Sequence, residues 1–113
     1  MITKFKTYEN NNNPKIGDYI ISFVDLSAFP IGDPIRDIEI FVNNNVGKLI
    51  DISIENKYKV IYNLPDEIIL AIRPKSTITD ELKTFHFNRH QILFWSNKKA
   101  DCELFLKSKK YNL

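Results

Sequence analysis

His86, His90 and Cys102 are the side chains in this chain best suited to metal or nucleophilic chemistry, and there are no further His or Cys residues. Four positions separate the two histidines, so a helix or a strand would carry both on one face. A metal site needs at least three ligands, so Cys102 or a carboxylate would have to join them from elsewhere in the fold. No CxxC or HExxH spacing supports that. Surface or strand-edge histidines are the simpler reading. A Ser or Cys triad could be assembled from Ser22 or Cys102 with a His and an Asp, but no local motif favours it. Cys102 reads as a packed helix residue. With Gly at only three positions there is no phosphate-cradling loop. The expectation is a protein without catalytic or metal-binding residues and without a cofactor.

Two charged stretches offer binding chemistry instead. Residues 98–113 hold five lysines, Lys98, Lys99, Lys107, Lys109 and Lys110, against Asp101 and Glu103. Trp95, Phe105 and Tyr111 lie near them. Lysines beside aromatics suit single-stranded nucleic acid, the first taking phosphates and the second stacking bases. The competing reading is a solvated helix face with a lysine-rich end. No arginine cluster is present for sequence-specific base reading. The second stretch, Asp25 to Glu39, carries Asp33, Asp37 and Glu39 around an apolar tip of Phe29, Pro30 and Ile31. Such a tip could dock a basic groove on a protein partner, steered by charge. Its competitor is a solvated loop with Phe29 tucked into the core. The candidate protein contacts are therefore Phe29, Asp33, Asp37 and Glu39. The candidate nucleic-acid contacts are Trp95, Lys98, Lys99, Lys107, Lys109 and Lys110.

The elements that would position these residues are organised around a hairpin within Asn43–Pro65. Ile50, Ile52 and Ile54 alternate with Asp51 and Ser53, the period of a half-buried strand. Glu55-Asn56-Lys57 forms the turn, and Tyr58, Val60 and Tyr62 alternate with Lys59 and Ile61. Gly47 suits a bulge or a close backbone approach. Before the hairpin, Met1–Tyr8 reads as a short edge strand and Glu9–Pro14, with four consecutive Asn, as a loop. Ile16-Gly17-Asp18 turns the chain into a strand ending at Val24. That strand is apolar on both faces and so expected to be central. Pro30, Gly32 and Pro34 argue against a long helix, and the excursion is expected to lead into a strand over Ile38–Val42. Glu67–Arg73 reads as a strand, with a helical turn begun by Asp66 and Glu67 as the alternative. Phe85 and Phe87, then Ile92–Trp95, supply two more strands. A helix follows over Lys98–Lys109, capped by Ser96 or Asn97, with Ala100, Cys102, Leu104, Phe105 and Leu106 as its apolar face.

This order predicts a single mainly β (α+β) domain over residues 1–113: an N-terminal strand and Asn-rich linker over 1–14, a small antiparallel barrel or bent sheet over 15–96, and a C-terminal helix and tail over 97–113. KIGDYIISF, NNNVGKLIDI, YKVIY and ILFWS resemble the strand succession of small SH3-like barrels across residues 15–96. They also resemble uncharacterised proteins of that type from AT-rich bacteriophages and their hosts. The Asp25–Glu39 excursion is longer than such a barrel needs. The resemblance implies a binding module, and the reading taken is a non-enzymatic intracellular protein that acts by contact with another protein, with RNA or DNA binding through the lysine-rich C-terminal helix as the alternative. One version is a phage-encoded inhibitor of a host defence nuclease, of the anti-CRISPR kind, in the host cytoplasm.

Composition bounds the remainder. At 113 residues with 43% hydrophobic content the chain can bury a core. It has no apolar run of membrane-spanning length, no secretory h-region in MITKFKTYEN, and a lone cysteine that suits a reducing interior. The net charge of +2 is too small to imply nucleic acid by itself. The partners to be weighed are a host protein, RNA or DNA, and a second copy of the chain. The last would make it a virion or other structural component, with Ile16–Val24 or Ile68–Ile72 at the interface.

Overall fold

The computed structural model describes residues 13–111. The expected strand over Met1–Tyr8 lies outside them, as does most of the Asn-rich loop.

Five strands form one antiparallel sheet. In chain order they are β1 (Tyr19–Ser22), β2 (Gly47–Ile52), β3 (Tyr58–Ile61), β4 (Thr84–Phe87) and β5 (Ile92–Ser96). In space they run β4-β3-β2-β1-β5. β1 pairs on both sides, as its two apolar faces predict. The two outer strands, β4 and β5, are adjacent in sequence, joined through a 3₁₀ turn at Arg89–Gln91. A flat sheet would hold them about 19 Å apart. The five peptide steps from Phe87 to Ile92 reach about 17 Å at full stretch, and the 3₁₀ turn shortens that. The sheet therefore has to curl. It does not close: no ladder joins β4 to β5 among the described residues. The bent sheet holds and the closed barrel does not, because the 3₁₀ turn replaces the tight hairpin that would bring the two edges into register.

Two sequence expectations are corrected by helices. The segment expected to hold a strand over Ile38–Val42 is α1 (Pro34–Asn43). Pro34 stands at the first helical turn, where a missing N–H costs nothing, and Asp33 caps it by accepting from the Ile35 N–H at 2.9 Å. Of the residues read as breakers, Pro34 starts the helix, while Pro30 and Gly32 lie before it. The expected strand Glu67–Arg73 is the short helix α2 (Asp66–Leu70), started by Pro65 with Asp66 and Glu67 in its first turn. The C-terminal helix, α3 (Lys99–Tyr111), lies where the sequence puts it. Ser96 ties its start, accepting from the Lys98 N–H at 3.1 Å and donating to Asp101 at 2.6 Å.

The hairpin holds with a shifted phase. Leu49 points inward and Ile50 outward, and a bulge between Leu49 and Asp51 brings Ile52 back toward the core. Ile54, expected on the buried face, lies fully exposed in the turn, where Asn56 adopts a positive φ of 60°. Tyr58, Val60 and Tyr62 are buried as expected. Gly47 allows a close approach, not a bulge: a Cβ there would fall 2.7 Å from the Tyr62 ring and closer still to Val60.

The sheet separates two clusters. The inner one gathers Ile20, Leu49, Val60, Tyr62, Phe87, Ile92 and Trp95 under Ile38, Phe41 and Val42 of α1. Its polar link is a 2.6 Å hydrogen bond between the Ser22 and Tyr62 hydroxyls. Asn43 fastens α1 to the end of β1 through two hydrogen bonds with the Val24 backbone, 2.7 and 2.9 Å. The outer cluster is smaller: Ile21, Phe94 and Cys102, with Tyr19, Val46, Phe105 and Leu106 against it. Cys102, Phe105, Leu106 and Lys109 form one helical stripe facing the sheet, with Phe105 stacked on Phe94 at 4.8 Å. Leu104 and Ala100, expected on that stripe, are exposed. Among the described residues no helix is long and apolar enough to cross a membrane.

Candidate functional site

The register of the sheet builds a row that no single segment displays. Ser96, Tyr19, Lys48, Ile61 and Thr84 are successive partners across β5, β1, β2, β3 and β4. Cross-strand partners share a face, and Lys48 lies opposite to the buried Leu49, so this is the outer face. Among the described residues α3 packs on that face against β5 and β1, while Lys48, Ile50 and His86 on the β2–β4 half stand exposed. The row from Tyr19 to Thr84 spans about 14 Å at ordinary strand spacing.

At the end of the sheet this row borders a groove of about 320 Å³ lined by Tyr19, Lys48, Tyr62, Asp80, Lys83 and Lys99 among others. Three lysines from three segments converge there, with Asp80 as the acidic lining residue. Lys48 Nζ sits 5.7 Å from the centre of the Tyr19 ring, within cation–π range. Lys83 is 3.8 Å from Asp66, and beyond the groove Lys59 is 3.5 Å from Glu81. Both pairs have exposed acids, and such pairs contribute little. Among the described residues neither Lys48 nor Lys99 makes an ion pair. The groove therefore offers cationic donors beside an aromatic ring, a combination that can neutralise phosphates and stack a base.

The sequence-predicted nucleic-acid residues are divided by the structure. Lys99 joins the groove, and Lys98 is exposed beside it. Lys107 and Lys109 lie about 12 and about 15 Å beyond Lys99 along α3 at its helical rise, where they line a second groove of about 370 Å³ with Asn44 and Leu106. The side chain of Lys110 lies outside the described residues. Trp95 is corrected: it is 8% exposed, in the inner cluster, with the Arg89 guanidinium 4.4 Å from its ring. Both faces of a strand position looked available in sequence, but Trp95 pairs with Ile20 and so faces the core.

The predicted protein-contact residues are not gathered into one exposed tip. Phe29 is partly buried, and its carbonyl accepts from Arg36 at 2.6 Å. Asp33 is engaged as the α1 cap. Glu39 is partly buried, which pushes its carboxyl above the usual glutamate range. Asp37 is exposed in the first turn, and Ile31 nearby is 91% exposed.

His86 stands exposed on β4 and His90 exposed in the 3₁₀ turn. Among the described residues no three His, Cys, Asp or Glu side chains are grouped as a metal site requires. Cys102 is fully buried and donates to the Tyr19 carbonyl at 3.4 Å. Burial pushes its thiol up to about 12, so it stays protonated near neutrality.

Sequence reading passed over Tyr19, Lys48 and Lys83. Alternation alone puts Lys48 outward, but the partners beside it are set by register. No family model, curated protein or solved structure matches the chain.

Proposed function

We propose that this chain is a non-enzymatic binding protein whose ligand is single-stranded RNA or DNA, held across the open outer half of the sheet. The observation that carries this reading is the convergence of Lys48, Lys83 and Lys99 on one groove beside Tyr19. The lysines neutralise consecutive phosphates and the tyrosine face accepts a base. An open antiparallel sheet face is a platform onto which a flexible strand can settle, whereas a duplex presents its bases stacked inward. Without an arginine fork the recognition is tolerant of sequence.

The test is fluorescence anisotropy with labelled single-stranded and duplex oligonucleotides over a salt series. Three neutralised phosphates give a slope of log K against log salt of about −2 on single strands. The combined variant Lys48→Ala, Lys83→Ala and Lys99→Ala removes that binding. Affinity that is independent of salt, or unchanged in the variant, refutes the reading.

A second reading, contact with a protein partner, has its support in Ile31, an almost fully exposed apolar side chain six residues before the exposed Asp37. Captured partners that are lost on Ile31→Ser with Asp37→Asn, and retained in the lysine variant, would favour it.

A further inference from the structure

We infer that the groove beside Tyr19 is one end of a longer binding track, and that a second station for the same strand lies at the other end of α3, formed by Phe23, Asn44, Lys107 and Lys109. This rests on the reading of the first groove as a single-strand site and extends it in length and direction.

The second station repeats the chemistry of the first. Phe23 is 47% exposed, and Lys109 Nζ lies 6.0 Å from the centre of its ring. Lys107 and Lys109 line the adjacent groove with Asn44, whose amide nitrogen donates one hydrogen to the Ile40 carbonyl at 2.7 Å and keeps a second. Each station thus has a half-open aromatic ring, a lysine over that ring and a further lysine at the rim. Neither Lys107 nor Lys109 makes an ion pair among the described residues.

The two stations lie along one seam. Asn44 lines the second groove, and Val46, Gly47 and Lys48 line the first. The seam therefore follows the connection from α1 into β2 on one side and α3 on the other. Val46 and Leu106 both pack against the Ile21–Phe94–Cys102 cluster and form the apolar floor between the ends. Tyr19 and Phe23 are four residues apart along β1 and its continuation, about 13 Å at strand rise. Lys99 and Lys107 are eight residues apart on α3, about 12 Å at helical rise. The two spans agree, so a single strand lying parallel to α3 meets an aromatic and a lysine at each end. At the roughly 3.4 Å spacing of a stacked strand, that span corresponds to about four nucleotides.

The test is a length series of oligothymidylates, from about 3 to about 12 nucleotides, titrated against the full chain and against Phe23→Ala with Lys109→Ala. Thermal melts check that the variant remains folded. The shortest oligomers occupy one station and the longer ones bridge both. The expected result is a step of about tenfold or more in affinity once the length passes about five nucleotides, a gain of the size one stacked base supplies. The double substitution erases that step and leaves the shortest oligomers unchanged. Affinity that rises only with the number of available registers, together with an unaltered long-oligomer affinity in the variant, overturns the second station while leaving the first intact. Absence of binding at every length removes the first groove and the track together.

Discussion

The two faces of the sheet are finished to different degrees. The inner face is closed by α1 and carries the larger cluster, with Ile20, Leu49 and Val60 fully buried. Among the described residues the outer face is packed by α3 against β1 and β5, with Lys48, Ile50 and His86 exposed on its other half. Residues 47 and 48 put the contrast into adjacent positions. Gly47 is pressed so close to Val60 and Tyr62 that no side chain fits, while Lys48 stands in a groove over a tyrosine ring. The inner position at 47 is filled by its neighbours, and the outer position at 48 presents an exposed cationic side chain.

The largest expected effect separates these neighbours. Gly47→Val forces a branched side chain into the inner cluster and should cost about 3 kcal/mol or more, since overpacking a filled core displaces several side chains. Lys48→Val, one residue away on the open face, should shift stability by about 0.5 kcal/mol or less. Chemical denaturation of both variants measures the difference. Comparable losses would erase the distinction between the faces.

Next in size is the buried hydroxyl pair. Tyr62→Phe leaves Ser22 without its partner in a fully buried position. The expected cost is about 2 kcal/mol, recovered in part by adding Ser22→Ala, which a double-mutant cycle would measure. Simple additivity would mean that the two hydroxyls contribute independently.

On the outer face, removing Lys48 and Lys99 together should leave the melting temperature near that of the parent chain. It should also flatten the salt dependence of single-strand binding by about 1.4 in slope, two phosphates' worth. A large loss of stability instead would make these lysines structural.

The smallest effect sharpens the inner face through pH. Burial raises the Glu39 carboxyl, so the folded state holds its proton more tightly than the unfolded chain does. That contribution to stability is fully present below the unfolded pKa and is lost as pH rises through the folded pKa. Glu39→Gln should therefore be more stable than the parent near neutrality, with the advantage closing as pH falls through the raised folded pKa and gone below the ordinary glutamate range. A difference that does not change with pH would assign it to side-chain packing.

Much of the inner face was readable in sequence, and the errors have physical causes. Tyr58, Val60 and Tyr62 alternate cleanly because β3 itself carries no extra residue and pairs with β4 in unbroken register. Ile50, Ile52 and Ile54 mislead because a bulge at Ile50 shifts the phase and Leu49 takes the buried position. Pro34 looks like a breaker until Asp33 is seen to cap the helix that Pro34 begins. The α2 segment is apolar enough for either state, and Pro65 with the acids after it decides for helix. The candidate site was legible only in pieces. Lys99 and the lysines near the end of α3 stand out in the C-terminal composition. Tyr19, Lys48 and Lys83 do not, since their proximity depends on which strands pair and in what register. Trp95 shows the converse: aromatic and next to lysines in sequence, it is turned inward by its pairing with Ile20.

The most direct test is a backbone amide NMR titration of the folded chain with a single-stranded oligonucleotide of about eight nucleotides. Single-strand binding at these sites concentrates the shifts at Tyr19, Lys48, Lys83 and Lys99 and extends them along α3 to Lys107 and Lys109, with α1 quiet. Shifts centred on Ile31, Asp37 and the start of α1, or no shifts at saturating oligonucleotide, would contradict it.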